Sequence, residues 1–502
     1  MQERGGWRQN WQTKALLATI AIFTVVLTLH ADWSRFNLDE WGDMPENYAW
    51  GVLWQWGYFK HPPFFAWAVA AWFSVMPHTD FAYYAFASLN MAVALYCLWR
   101  IALRYGGPDY QLFVILAAVL IPPLSFQAIK YNANSAMTPV WAAVFLFYLR
   151  GLERQRWYDA VVLGALTGVA MLTKYHSAVL VFTLLIHALV DRQARSILLS
   201  WFGLITAVAS IAVFSGHAIW LFQNDFRPIT YAASQGDGSL VLIATSLVLF
   251  LTGMAVYLLP AVGLAVLLRA PNDGYPLVWL EGLRKLRETV TGRALLAFGI
   301  LPTILTIILA FAAGADLSVV WVLPLYVPLL LLVGLLLPPD LIGRYLRRGL
   351  VVVGIYMVAL LVAAPIYKES IRGSDIRNMT VPVARMSAAL DEFWVETAGD
   401  APGFVVAGEP ILANSMSFYS RHHPLTLEAN SLEIAKGHMD KAEIDRRGLM
   451  VICRAGDEAC LPLATLLTQG KPDAVTRPFT IEGFDGERQW PFVVTMVKPQ
   501  GR

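Results

Sequence analysis

The sequence predicts a polytopic α-helical membrane protein that ends in a small extracytoplasmic α/β domain. Three observations predict it. Of 502 residues, 57% are hydrophobic and only 15% are charged, against about 25% charged in soluble domains, and the mean hydropathy is +0.53. Apolar runs of membrane-crossing length recur up to residue 366, with basic residues concentrated in alternate loops. From about Tyr367 onward the pattern changes to mixed helix and strand signals. A net charge of +2 gives no case for nucleic-acid binding.

Taken in order, the N-terminal MQERGGWRQNWQTK is basic and precedes the apolar run Ala15–His30. A cleaved signal peptide shares that profile, but Ala31-Asp32-Trp33-Ser34 is a poor cleavage site, so the run reads as an uncleaved first helix. About eleven spans are expected, at 13–31, 81–103, 111–128, 135–149, 158–173, 176–190, 197–222, 239–268, 293–313, 317–337 and 349–366. One set of loops holds Arg4, Arg8 and Lys14, then Arg100 and Arg104, Arg150, Arg154 and Arg156, Arg192 and Arg195, Arg269 to Arg293, and Arg344 to Arg348. The other set holds only Arg35, Lys60, Lys130, Lys174 and Arg227. This bias puts the N-terminus in the cytoplasm and the first loop outside, and an odd number of spans then puts the C-terminal part outside as well. The run 63–77, PFFAWAVAAWFSVMP, is short and aromatic and reads as an interfacial helix; if it spanned, every later loop would change side. The expected domains are a membrane domain over 1–366, with a first outer loop at 32–80, and an extracytoplasmic α/β domain over 367–502.

The C-terminal part carries a helical stretch, VPVARMSAALDEFW, and β-like runs, GFVVAGEP, LMVICRAG and PFVVTMV. Cys453 and Cys460 within it predict a local disulfide if that part is extracytoplasmic, whereas two further ligands for a zinc site are missing. Cys97 lies in an apolar run and reads as a small core residue. No internal repeat is evident, which counts against transporters built from two similar halves.

Charges on the outer side are few and therefore informative. The first loop offers Asp32, Arg35, Asp39, Glu40, Asp43, Glu46, Lys60 and His61, with Tyr48 and Tyr58 among its aromatics. The second offers Lys130, Tyr131, Asn132 and Asn134, the third Lys174, Tyr175 and His176, and the fourth Asp225 and Arg227. Ionisable groups at such depth are costly unless paired or functional. Bland readings stand beside each: an interfacial aromatic belt for Trp50, Trp54, Trp56, Tyr58 and Trp67, snorkelling for Lys60, and an ordinary turn for Lys174 and His176. Convergence of four loops favours a shared cavity in which cations meet a phosphate, a carboxylate deprotonates a hydroxyl and aromatic faces hold a sugar. A lipid-linked sugar phosphate fits that cavity, with its tail among the spans.

In DMPENYAWG, WGYFKHPPFFAW, KYNANSAMTPVWA, TKYHSAVLV and WLFQNDFRPITYA the sequence resembles the bacterial branch of the protein O-mannosyltransferase superfamily, the GT-C glycosyltransferases, over most of its first 235 residues. That branch includes the aminoarabinose transferase of lipid A and the rhizobial galacturonosyltransferases of lipopolysaccharide. The resemblance implies a GT-C fold, a polyprenyl-phosphate sugar donor, inversion at the anomeric carbon, and a lipid or glycan acceptor such as lipid A or lipopolysaccharide core. It implies a multi-pass protein of the bacterial inner membrane with its active site and C-terminal domain in the periplasm, and no cofactor or metal is called for. The acceptor base maps to Asp43, by its spacing to the tyrosine and the Lys-Pro-Pro-type motif, with Asp39 of the Asp39-Glu40 pair as runner-up. Lys60 matches the lysine near the donor phosphate, although His61 is inserted before Pro62-Pro63; Lys174, His176 and Arg227 are candidates for the same phosphate cavity. Glu46, Tyr48, Tyr58, Lys130, Tyr131, Asn132 and Asn134 are candidate substrate contacts. Relatives often carry an acidic residue in the second outer loop, where Asn132 and Asn134 stand here. A transporter or flippase of lipid-linked sugars is the alternative, and a catalytically inactive scaffold a third reading.

Overall fold

The computed structural model describes residues 11–234, 238–268, 275–335, 339–374, 377–399, 403–427 and 441–499. Arg4, Arg8 and Arg269 of the basic loops lie outside the described residues. The helices are α1 (Trp11–Trp33), α2 (Asp43–Gly51), α3 (Phe64–Phe73), α4 (Asp80–Ala102), α5 (Pro108–Leu120), α6 (Ala133–Arg154), α7 (Trp157–Thr173), α8 (Ala178–Val190), α9 (Arg192–Leu198) and α10 (Trp201–Gln223). They continue as α11 (Arg227–Ala233), α12 (Leu240–Leu267), α13 (Tyr275–Glu288), α14 (Val290–Ala313), α15 (Tyr326–Gly334), α16 (Pro339–Ile371), α17 (Val383–Ala398), α18 (Pro410–Tyr419), α19 (Lys441–Arg447) and α20 (Cys460–Leu467). Five strands follow the same order, β1 (Val405–Gly408), β2 (Leu425–Thr426), β3 (Leu449–Arg454), β4 (Val475–Glu482) and β5 (Gln489–Val497).

Each predicted apolar segment holds a helix, but length separates them. Seven described helices, α1, α4, α6, α10, α12, α14 and α16, are long and apolar enough to cross a membrane, or eight spans if α8 and α9 form one broken crossing. The protein is thus a multi-pass membrane protein. The 13-residue α5 and the 17-residue α7 fall short of the roughly 20 residues a free-standing span needs. The 10-residue α3 occupies the run expected to lie in the interface.

Two compact units result: residues 1–30, 60–62 and 87–361, and residues 31–59, 63–86 and 362–502. The expected boundaries differ from this division, because the first outer loop, apart from residues 60–62, groups with the C-terminal residues. Its backbone and side chains are bonded to partners beyond residue 370, as described below, and such pairings leave no local sequence mark.

In the first unit α5 is apolar all round, and Leu112 through Val119 have no exposed surface, as befits a central helix. Helices α7 and α10 pack closely because Gly164 and Gly168 stand four apart; a Cβ at Gly164 would lie 2.2 Å from the Thr206 carbonyl oxygen and one at Gly168 2.8 Å from that of Ser210. Small residues at this spacing let membrane helices approach where lipid supplies no hydrophobic drive. Thr19, Thr24 and Thr28 return their hydroxyls to carbonyls one turn back, so these three donors are satisfied within the helix.

In the second unit the sheet order is β2-β1-β3-β5-β4, with β1 parallel to β2 and β3 and β5 antiparallel to β3 and β4. Alternation along the strands covers both faces. Phe404, Val406, Met450 and Ile452 meet Leu390 and Trp394 of α17 and Met416 of α18. Val405, Ala407, Leu449 and Val451 meet Leu463 of α20. The edges are blunted: β2 has two residues, and β4 carries Pro478 on a largely exposed strand. Cys453 on β3 and Cys460 at the start of α20 are disulfide-bonded, and Cys97 is a buried free thiol.

Candidate active site

The acidic stretch before α2 belongs to the second unit, and its two aspartates sit in different backbone settings. Asp39 is 4% exposed. Its Oδ1 accepts the N–H groups of Trp41 at 2.9 Å and Asp43 at 3.1 Å, and its Oδ2 that of Met44 at 2.7 Å. Helix N-termini leave such N–H groups without intrahelical partners, so this carboxylate is a cap held in place by three donors. The turn it closes passes through Gly42 at φ 76°, a left-handed conformation that a side chain disfavours. Asp43 then opens α2, half-buried, with Glu46 in the same first turn; both favour the positive end of the helix dipole.

Long-range bonds hold this stretch. The Asn37 amide donates to the carbonyls of Asn378 and, at 2.7 Å, Val381. The Asn378 amide donates to the Glu40 carbonyl at 3.1 Å, and Arg454 reaches Asn378 Oδ1 and Glu409 Oε2, each at 2.8 Å. Tyr84 donates to the carbonyls of Asn37 and Leu38 at 3.0 Å, and Tyr83 to that of Met44 at 2.7 Å. Burial raises the Glu409 carboxyl, while Arg454 works against that rise.

Tyr48 and Tyr58, expected to touch substrate, are instead core residues at 4% and 0% exposure. The Tyr58 hydroxyl donates to the Trp50 carbonyl at 2.6 Å and its ring stacks on Trp50. The Tyr48 hydroxyl lies 2.9 Å from His78 Nε2, its ring edge meets Phe73 and Phe418, and burial pushes its phenol up to about 12. His78 also lies 3.9 Å from the His423 ring; burial, and then the His423 charge, push His78 down to about 4. Tyr419 donates to Asp80 at 2.8 Å. Sequence reading missed His78, His423 and the Asp80–Tyr419 pair, since each partnership joins the first outer loop to a residue beyond 410.

The remaining candidates lie in the first unit. Lys60 and His61 are half-buried in the irregular chain ahead of α3. Lys130 is half-buried, while Tyr131, at 1% exposure, is core rather than a substrate contact. Asn132 is the N-cap of α6: its Oδ1 accepts from Asn134 N–H at 3.0 Å and Ser135 N–H at 3.2 Å, and Ser135 Oγ accepts the Asn132 N–H at 2.9 Å. That capping box replaces the expected substrate role, and Asn-x-x-Ser was its signal in the sequence. Lys174, the C-cap of α7, donates to Asn134 Oδ1 and lies 5.8 Å from the Trp321 ring centre. This bond joins the end of α7 to the first turn of α6. His176 is 8% exposed, parallel to Trp141 with ring centres 6.0 Å apart, and 3.3 Å from Thr306 Oγ1. It is a buried, packed histidine. Arg227 opens the seven-residue α11, half-exposed.

Residues 60–220 match the family of dolichyl-phosphate-mannose-protein mannosyltransferases, a match that, with the relatives below, supports the GT-C superfamily. Among individual proteins, it is 25% identical over 209 residues to the lipopolysaccharide core galacturonosyltransferase RgtA of Rhizobium johnstonii, covering 40% of this chain and 42% of that one. It is 25% identical over 152 residues to the lipid A galacturonosyltransferase RgtD of the same organism, covering 30% and 31%. The chain thus spans less than half the length of these curated relatives. ArnT from Cupriavidus metallidurans, solved with undecaprenyl phosphate, shares the fold along 96% of this chain and 98% of its own, at TM-score 0.63 and 16% identity.

Proposed function

We propose that the protein is an inverting glycosyltransferase that moves a sugar from a polyprenyl-phosphate donor to a lipid or glycan acceptor, such as lipid A or lipopolysaccharide core, on the periplasmic face of the inner membrane. The observation that supports this reading is the difference in setting between the two aspartates. Asp39 is tied to three backbone donors, so Asp43 is assigned as the base. The names of the two rhizobial relatives and the lipid phosphate bound to ArnT support the substrate classes. About eleven crossings, with the shorter helices α5 and α7 ending in a cavity, and a periplasmic domain beyond residue 366 belong to the same reading.

In the reaction the acceptor hydroxyl oxygen attacks the anomeric carbon as its proton passes to the Asp43 carboxylate. The carbon–oxygen bond to phosphate breaks, and polyprenyl phosphate leaves with the electron pair. Lys60, with Lys174 as a second cation, stabilises the growing negative charge on that phosphate. His61 and Arg227 are auxiliary cationic positions, and Glu46, Lys130 and Asn134 are polar neighbours of the sugar.

Purified protein incubated with polyprenyl-phosphate hexoses or pentoses and lipid A or core acceptors should give glycosylated product by mass spectrometry. Lys60→Ala should lower turnover and weaken donor binding in a protein that still folds. Sugar flux across sealed vesicles without any transfer would replace this reading with the flippase alternative.

A further inference from the structure

We infer that the first unit holds an anionic glycerophospholipid as a bound structural ligand, with one acyl chain in a groove between α6, α7, α8, α9 and α10 and its phosphate at the arginines of α9. The groove is a cavity of about 290 Å³ whose lining includes Leu152, Leu163, Leu184, Ile197, Phe202 and Ile211. It lies at the end of these helices that carries the basic loops, and none of the residues assigned above to transfer lines it. Along α10 it reaches from Phe202 to Ile211, about 13 Å at 1.5 Å per residue. That suits an extended hydrocarbon chain. An apolar cavity of about 150 Å³ already takes up benzene and stays dry.

The mouth is built for a headgroup. Helix α9 turns 113° from α8. Asp191 holds the bend: it caps α9 through the N–H groups of Gln193 at 2.9 Å and Ala194 at 3.0 Å, and pairs with Arg293. Ala194, Ile197 and Leu198 of α9 line the groove, while Arg192 and Arg195 are exposed. Neither arginine forms an ion pair with a carboxylate among the described residues, and Arg154 and Arg156 are exposed at the same end. Trp157 and Trp201, at 69% and 77% exposure, mark this level as a membrane interface. An apolar slot beneath a cationic ledge at that level matches a lipid with one charged head and a chain directed into the bilayer.

The test is native mass spectrometry of the full chain released from nanodiscs of phosphatidylglycerol, phosphatidylcholine, or their mixture with undecaprenyl phosphate. Phosphatidylglycerol should remain bound at about one copy and phosphatidylcholine should not. Arg192→Gln with Arg195→Gln, two changes on an exposed face, should weaken phosphatidylglycerol about 30-fold. Ala207→Trp, which fills the groove, should remove the bound copy. Equal retention of both phospholipids, unchanged binding in either variant, or displacement by undecaprenyl phosphate at equal concentration would overturn the assignment. Displacement would give the groove to a polyprenyl chain.

Discussion

The loop ahead of α2 and the loop ahead of α6 use the same local device with different chemistry. In each, one side chain accepts N–H groups at the helix start, Asp39 from ahead of the Gly42 N-cap and Asn132 as the N-cap itself, and a second residue of the same type follows in the first turn. Asp43 follows Asp39, and Asn134 follows Asn132. Where the pair is carboxylate, the follower is a group able to accept a proton. Where it is amide, the follower cannot titrate, and its oxygen orients Lys174. In the proposed reaction the first loop moves a proton and the second presents a cation.

The comparison breaks most visibly at the aspartates. Asp43→Asn preserves shape and should cost about 10²–10⁴ in turnover, with donor binding retained. Asp39→Asn should instead lower stability, by about 1–3 kcal/mol for a buried group deprived of its charged bonds, while the folded fraction keeps its rate. Single-turnover kinetics beside thermal melts separate the two, and an exchange of these phenotypes would reverse the assignment. A smaller effect is expected at Asn134→Asp. A carboxylate facing Lys174 would offset its charge, and donor KM should rise about tenfold if the lysine meets phosphate; an unchanged KM would remove Lys174 from the phosphate site. Asn132→Ala should cost about 1 kcal/mol as a lost cap, with kcat unaltered.

At neutral pH the smallest effect is that of His78. Its pKa is lowered in the folded protein to about 4 from 6.5. The unfolded chain therefore binds a proton first, so the stabilisation is complete above pH 6.5 and is lost as pH falls toward 4. Melting temperature should decline across that window, and His78→Gln should flatten the decline. A wild-type profile level between pH 4 and 6.5 would contradict it. Comparisons of Asp43 and Asp39 variants are cleanest above this window.

Sequence reading reached the helices because their signal is local: an apolar run announces itself, and so does the pair Cys453 and Cys460. It ranked Asp43 above Asp39 by spacing but gave no sign that Asp39 caps the turn through Gly42. Nor did it see that Tyr48, Tyr58 and Tyr131 are buried, because aromatic residues at an expected interface read equally well as exposed. The burial of Tyr48 depends on Phe418, and the fixing of Asn37 on Asn378 and Val381. No periodicity within the first outer loop points to those partners.

The bond from Asn37 to Asn378 joins residues 341 apart in the chain. At about 5–20 residues per second of synthesis, the first loop waits roughly 20–70 s for the segment that completes it. During that interval Asn37 lacks its carbonyl partners and Tyr48 lacks Phe418. A nascent chain arrested before residue 378 should therefore present this loop to proteases and chaperones, and maturation of the loop becomes a late event in biogenesis although its residues are among the first translated.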